Sequence, residues 1–182
     1  MRATIPMLSA SLATALLCAG CGSKGTTTST ESTSEWAGNL CTAITTWKTS
    51  VNSAVDSVTS GGISKSSLQD AAAQVKAADQ TLADTLKNLG KPDTKAGAQA
   101  KQSLDQLSTE ISTEQQKISA AIGGVTNVAG IVSAAPVVLD SLKTMGTDVS
   151  TTFKQLQSLD ASGELSSAFD QASACQTLKK SS

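Results

Sequence analysis

Residues 35–58 read EWAGNLCTAITTWKTSVNSAVDSV and decide the fold of this 182-residue chain. The large apolar side chains of this stretch recur every three or four positions, which places them on one stripe of a helix. They are Trp36, Leu40, Ile44, Trp47, Val51, Val55 and Val58. Ser32 and Glu35 have the spacing of a capping box before the stripe, and Gly61-Gly62 after it closes a helix at little steric cost. The stretch therefore predicts a long amphipathic helix.

The same helical spacing recurs in three further segments. The second segment ends at Gly90-Lys91-Pro92, because proline cannot continue a helix. Asp93 is then expected to cap the third, which is interrupted at Gly123-Gly124. Residues 125–135 are either a frayed continuation or a short separate helix, and the fourth segment follows Pro136. The apolar stripes of the three segments include Leu68, Val75, Leu82, Leu86, Leu104, Leu107, Ile111, Ile118, Val138, Met145, Val149 and Leu156.

The composition agrees with an all-α fold. Hydrophobic residues make up 39% of the chain but aromatic residues only 2%, so the core must be aliphatic and alanine-rich. No segment alternates apolar and polar residues for long enough to form a strand. Four helices joined by short connections predict an up-and-down four-helix bundle. A short C-terminal helix, which begins around residue 162 and carries Leu165, Phe169 and Ala172, is expected to dock on it.

The N-terminal segment resembles a bacterial lipoprotein signal. Met1-Arg2 gives a cationic start, residues 5–17 form a weakly apolar run, and Cys18-Ala19-Gly20 precedes Cys21. This order is typical of an export signal. The small residues before Cys21 resemble the lipobox, in which the cysteine receives lipid and becomes the mature N-terminus, although Cys18 stands where a lipobox usually has leucine. The resemblance therefore implies lipidation at Cys21.

This signal divides the chain into three parts and predicts where it resides. Residues 1–20 are expected to be the signal peptide, residues 21–34 a flexible Ser/Thr/Gly tether, and residues 35–179 the helical bundle domain. A lipidated Cys21 would anchor the domain outside the cytoplasm, on the outer face of the cell membrane. The alternative is ordinary signal cleavage after Gly20, which would release a free secreted protein.

Cys41 and Cys175 are the cysteines that remain in the bundle domain. Outside the cytoplasm, two cysteines near opposite ends of a domain most simply form a disulfide. Closing a loop of this length would remove about 4–5 kcal/mol of unfolded-chain entropy. In the predicted bundle both cysteines lie near the same pole, and we expect the terminal helix to tilt so that they come within disulfide range.

Few residues in the chain could carry chemistry. Histidine and tyrosine are absent, which argues against metal sites and against serine activated by a base. The net charge of −1 gives no reason to expect nucleic acid. Glu110 and Glu114 lie one turn apart, and we interpret them, like Asp79, Asp84 and Asp148, as parts of solvated faces. We therefore expect no catalytic residue, no metal and no cofactor.

The two tryptophans and two of the glycines can be explained by packing alone. Trp36 and Trp47 are amphipathic side chains that could stack on a ligand. They lie on one apolar stripe, however, so core packing is the favoured interpretation.

Gly130 and Gly146 weaken their helices relative to alanine. They indicate close helix crossings, an explanation that needs no ligand.

A second resemblance spans most of the domain. The pattern Glu35-Trp36-Ala37-x-x-Leu40-Cys41, then Trp47, with Leu159-Asp160 and Glu164-Leu165 before Cys175, resembles small exported helical-bundle lipoproteins of actinobacteria. The resemblance implies the fold and the disulfide, and it leaves the function open.

Taken together, these features favour a monomeric, non-enzymatic binding or structural module at the cell surface. The alternative is a carrier of an apolar small molecule, which requires a cavity of several hundred cubic ångströms between the helices. A hydrolase that uses carboxylates alone would require acidic residues from different helices in one cleft.

Overall fold

The computed structural model describes residues 32–160 and 162–180. Within these ranges all regular structure is helical, so the all-α class is confirmed. The helices are α1 (Thr33–Gly61), α2 (Lys65–Asn88), α3 (Gly97–Gly123), α4 (Val128–Ser158), α5 (Glu164–Gln171) and α6 (Ser173–Lys180). The expected signal peptide, Cys21 and all but the end of the expected tether lie outside the described residues.

Side-chain caps fix the starts of the first two helices. The N–H of Glu35 donates to the Ser32 hydroxyl at 3.2 Å, and the N–H of Ser32 donates back to the Glu35 carboxylate at 3.0 Å. Ser64 and Ser67 make the equivalent pair at the start of α2, at 3.1 and 2.9 Å. Each box satisfies backbone N–H groups that have no partner within the helix. The capping box predicted at Ser32 is therefore confirmed.

Asp93 does not cap α3, contrary to the prediction. The chain makes another turn first, in which the N–H of Thr94 donates to the Pro92 carbonyl at 2.9 Å and that of Gly97 donates to the Thr94 carbonyl at 3.0 Å. This turn brings Gly97 so close to Pro92 that a β-carbon would lie 2.1 Å from the Pro92 carbonyl oxygen. Because α3 has no side-chain cap, this close approach at Gly97 defines where it starts.

The fourth helix begins at Val128 and runs through Pro136, so residues 128–135 are its first turns rather than a separate helix. The Asn127 side chain caps it by accepting the N–H of Gly130 at 2.9 Å. Proline removes the hydrogen bond to the carbonyl four residues earlier, that of Val132. Val132 and Pro136 both lie on the exposed side of α4, where water can replace the lost donor.

The four long helices pack in chain order, α1 along α2, α2 along α3 and α3 along α4. Short connections between them give the predicted up-and-down arrangement. The fourth side of the bundle differs, because α1 and α4 touch each other at few points. Helix α5 packs against both α1 and α4 there, and α6 packs against α1. We call α5 and α6 together the terminal wedge.

An aromatic cluster joins the terminal wedge to the bundle. The ring of Phe169 on α5 lies 6.1 Å from Trp36 of α1 and 5.1 Å from Phe153 of α4, centroid to centroid. The second pair is edge-to-face, the geometry that aromatic quadrupoles favour. Leu165 and Phe169 are fully buried. Helix α5 therefore supplies core contacts that α1 and α4 do not make directly.

The loop before α5 joins the Leu159-Asp160 and Glu164-Leu165 pairs of the sequence, and Asp160 holds this loop in place. One Asp160 carboxylate oxygen accepts the N–H of Ser162 at 2.9 Å, and the other accepts the N–H of Leu165 at 3.1 Å. Hydrogen bonds from the Ser162 hydroxyl and from these backbone groups hold the pKa of Asp160 below its usual range. Gly163 has a φ of +78°, which glycine adopts without strain. This turn directs Leu165 into the core.

The C-terminal segment is two helices rather than the single helix that we predicted. The backbone of Ala172 is extended, and its carbonyl accepts the N–H groups of Cys175 and Gln176 at 3.0 and 3.2 Å, which starts α6. The Gln176 amide donates to the Asp170 carbonyl at 2.9 Å, and Lys179 pairs with the Asp170 carboxylate at 2.6 Å. These contacts hold the bend between α5 and α6.

Cys41 and Cys175 lie at disulfide distance, as the sequence predicted. Their sulfurs are 2.01 Å apart and their Cα atoms 5.0 Å apart, and both residues are fully buried. The Cys175 sulfur also lies 3.2 Å from the Ala37 carbonyl oxygen, so α6 approaches the first turns of α1 closely. The pair therefore links α6 directly to α1.

Breaking this link by Cys175→Ser or by reduction should loosen the terminal wedge first. The two helices have eight residues each and would be marginal alone. Without the link the unfolded chain regains conformational entropy worth about 4–5 kcal/mol, which should lower the Tm. Amide exchange followed by mass spectrometry should speed up mainly in residues 164–180.

The variant Cys175→Ser supplies its own control, since reducing agent should not destabilise it further. Uniform acceleration of exchange along the whole chain would contradict the special dependence of the wedge on the link. Two free thiols in the unreduced, unfolded protein would contradict the disulfide itself.

Candidate functional site

A cleft of about 470 Å³ opens between α1, α4 and α6, where the terminal wedge ends. Its apolar surface comes from all three helices. The residues are Ile44, Trp47 and Val51 of α1, Leu142, Val149 and Phe153 of α4, and Leu178 of α6. Most of these side chains also belong to the continuous core, so the cleft floor is the outer surface of the core. Its volume lies within the range of small-molecule sites.

Lysines and neutral polar residues form the rest of the lining. Lys48, Lys154 and Lys179 come from α1, α4 and α6 respectively, and among the described residues no acidic side chain lines the cleft. Asp170, which pairs with Lys179, lies outside the lining. The cleft therefore combines an apolar floor with a positively charged border.

The space of the cleft follows from the packing of α1 and α4. The terminal wedge occupies the fourth side of the bundle at one pole, and beyond its end the two helices stay apart. Gly146 of α4 faces this space, and a β-carbon there would meet no atom within 4 Å. Gly146 therefore does not mark a close helix crossing, contrary to our interpretation of the sequence. Its missing side chain leaves the cleft open.

An exposed apolar stripe on α4 leads into the cleft. Val128, Val132 and Leu139 are 74%, 69% and 54% exposed. Their helical spacing continues into Leu142 and Gly146 of the cleft lining. No charged residue occurs in positions 118–139. By length and composition alone, α4 is the one helix in the described part of the chain that could cross a membrane.

Trp47 connects the cleft floor to a buried carboxylate. The indole N–H of Trp47 donates to one oxygen of Asp79 at 2.7 Å. Asp79 is only 4% exposed, and its other carboxylate oxygen has no partner among the described residues. Burial raises the pKa of Asp79 to about 6, while the Trp47 hydrogen bond opposes that rise. An ionised, half-satisfied carboxylate in a core lowers stability.

The interpretation of Asp79 as part of a solvated face is wrong. Asp79 lies four residues after Val75 and three before Leu82, within the apolar stripe of α2. That position was a usable signal of burial. Asp84, by contrast, is exposed as expected. Both tryptophans are buried in agreement with the core interpretation, although Trp47 also reaches the cleft.

A second group of carboxylates lies between α3 and α4. Glu114 is buried rather than solvated, and its pairing with Lys117 at 2.6 Å lowers its pKa. Burial, and then the charges of Glu110 and Glu114, raise the pKa of Asp148. None of these residues lines the cleft. Among the described residues, no group of three or more His, Cys, Asp or Glu is placed to hold a metal ion.

A larger groove of about 1140 Å³ runs between α1 and α2. Its lining is rich in hydroxyl groups, many of which already donate to carbonyls of their own helices. Thr42 donates to Gly38 at 2.8 Å, and Thr81 donates to Ala77 at 2.9 Å. Such internal bonds leave few hydroxyl protons for a ligand. The cleft between α1, α4 and α6 is therefore the better candidate site.

Comparisons with protein-family models, curated proteins and solved structures find no match for this chain. The resemblance to actinobacterial lipoproteins stays a prediction. Cys18 and Cys21, which belong to the predicted lipobox, lie outside the described residues. The cleft itself was expected only as a requirement of the carrier alternative, without named residues.

Replacing Asp79 by Asn should remove a pH dependence of stability. The folded-state pKa is raised from 3.8 to about 6, so the folded protein binds this proton more tightly than the unfolded chain. The stability that this proton contributes is complete below pH 4 and is lost as the pH rises through 6. Wild type should therefore lose about 1–3 kcal/mol from this group between pH 4 and 7. Denaturant unfolding should show the Asn variant to be the more stable protein at pH 7.

Asn keeps an acceptor for Trp47, so the comparison isolates the charge. The exposed Asp84→Asn change on the same helix is the matched control and should leave the pH profile near that of wild type. A profile of Asp79→Asn that parallels wild type from pH 4 to 7 would contradict a raised pKa at Asp79.

Proposed function

We propose that this protein is a lipid-anchored, extracytoplasmic and non-enzymatic binding protein whose cleft holds an apolar small molecule. The apolar floor of the cleft is the observation that carries the proposal. A purely structural module would need no open side between α1 and α4. The cleft therefore favours the carrier alternative over the structural one.

The N-terminal sequence supports the proposed location. Residues 22–32 separate Cys21 from α1 and are rich in Ser, Thr and Gly. A tether of this length and composition spans about 20 Å on average. With lipid on Cys21, the pole of the bundle where α1 begins would face the membrane. The Val128 end of α4 would then point away from it.

The chemistry of the chain supports a role without catalysis. There is no histidine to activate a serine nucleophile. The carboxylates of Glu114 and Asp148 approach each other from different helices, but they stand outside the cleft lining. A single chain forms the whole cleft, so a monomer suffices for binding.

Filling the cleft by Gly146→Leu should abolish binding of a neutral apolar probe. N-phenyl-1-naphthylamine, whose fluorescence rises in apolar surroundings, is a suitable probe. We expect saturable fluorescence enhancement with wild type and at least a tenfold weaker response with Gly146→Leu. The fold should survive, because a side chain at Gly146 meets no atom within 4 Å at its β-carbon and leucine favours helix.

Gly123→Leu is the matched control. Gly123 is also a helical glycine at which a β-carbon would meet no atom within 4 Å, and it lies outside the cleft. This variant should bind the probe like wild type. Equal probe binding by Gly146→Leu and wild type would contradict the cleft as the site.

The anchor has its own test in the native host. Cys21→Ser should remove the acyl chains and shift the protein from the membrane fraction to the soluble fraction, because the apolar surface that holds it is lost. Intact mass of the wild-type protein should show a lipid-modified N-terminus at Cys21. An unmodified Cys21, or a mature start elsewhere, would refute the anchor.

A further inference from the structure

We propose that the cleft binds a single-chain anionic amphiphile, with the alkyl chain on the apolar floor and the head group at the lysines. The head group is a carboxylate or a phosphate. This inference rests on the proposed function and adds the charge and the shape of the ligand.

The lining determines the charge of the ligand. Lys48, Lys154 and Lys179 line one cleft from three helices, and no lining residue in the described part of the chain is acidic. Ammonium groups form charge-assisted hydrogen bonds with carboxylate and phosphate oxygens. Asp170 pairs with Lys179 from outside the lining and so offsets the charge of Lys179. An anionic head group would be attracted to this border, whereas a cationic one would be repelled.

The apolar surface determines the shape of the ligand. On α4 the lining extends from Leu142 to Gln157, which is about 22 Å at 1.5 Å per residue. Beyond Leu142 the exposed stripe of Val128, Val132 and Leu139 continues in the same direction. A long, narrow apolar path fits one extended alkyl chain better than a compact ring system. The stripe would cover the part of a long chain that the cleft cannot hold.

The positions of the lysines orient the ligand. Lys179 is on α6, which closes one end of the cleft, and Lys154 lies twelve residues beyond Leu142 on α4, about 18 Å away. The charged end is therefore the end at α6. The head group should lie beside α6, and the chain should run toward the start of α4.

Displacement of N-phenyl-1-naphthylamine by three ligands with the same chain tests the inference. Dodecanoate, dodecyl phosphate and dodecanol are titrated into the purified protein below the concentrations at which they form micelles. At least one anion should bind about tenfold or more tightly than dodecanol, with an advantage that shrinks as salt is added. Preference for dodecanoate over dodecyl phosphate, or the reverse, distinguishes a fatty acid from a phospholipid-derived ligand.

Lysine variants localise the head group. Lys48→Gln and Lys154→Gln should each weaken binding of the preferred anion by up to about fivefold and leave dodecanol unaffected. Lys76→Gln on α2, which is outside the cleft, is the matched control and should change neither.

The outcomes separate this inference from the proposed function. If dodecanol binds as tightly as both anions and Gly146→Leu blocks all three, the anionic head group is wrong and the cleft remains a binding site. The anionic head group is also wrong if neither lysine variant weakens binding of the preferred anion. If none of the three ligands displaces the probe and Gly146→Leu leaves probe binding intact, both the inference and the proposed function are wrong.

Discussion

The contact of Phe169 with Trp36 and Phe153 is the interaction on which the rest of the structure depends. Helices α1 and α4 barely touch each other, so the Phe169 ring between them completes the core at the pole where the chain enters the bundle. Phe169 belongs to α5, and this helix is too short to be stable on its own. Its burial and the Cys41–Cys175 link therefore act together to hold α1 and α4 in a fixed relation.

The cleft is a consequence of that arrangement. The terminal wedge fills the fourth side of the bundle only as far as Leu178 and Lys179, and beyond them α1 and α4 leave an open space. Gly146 keeps the α4 wall free of a side chain. The Trp47 ring forms part of the floor, and behind it Asp79 is a destabilising buried carboxylate. Stability and the candidate site thus share the same few residues.

The helices were predictable from the sequence, because a stripe that repeats every three or four residues has few other ways to be buried. The pairing of Cys41 with Cys175 was predictable for a similar reason, since only two cysteines remain in the domain. The bend at Ala172 was not predictable, because the apolar residues on both sides of it keep one helical spacing. The contacts of Asp170 with Gln176 and Lys179 that hold the bend do not show in that pattern. The cleft was equally hidden, since its walls come from three helices whose separation no local pattern encodes. Asp79 could have been recognised as buried from its place in the α2 stripe.

The most direct test of this account is a map of through-space proton contacts among the aromatic rings by nuclear magnetic resonance. The chain has two Phe, two Trp and no Tyr or His, so its aromatic spectrum is simple. The account predicts nuclear Overhauser effects from the Phe169 ring to both Trp36 and Phe153. Contacts from Phe169 to only one of these rings, or to neither, would contradict a wedge that joins α1 to α4.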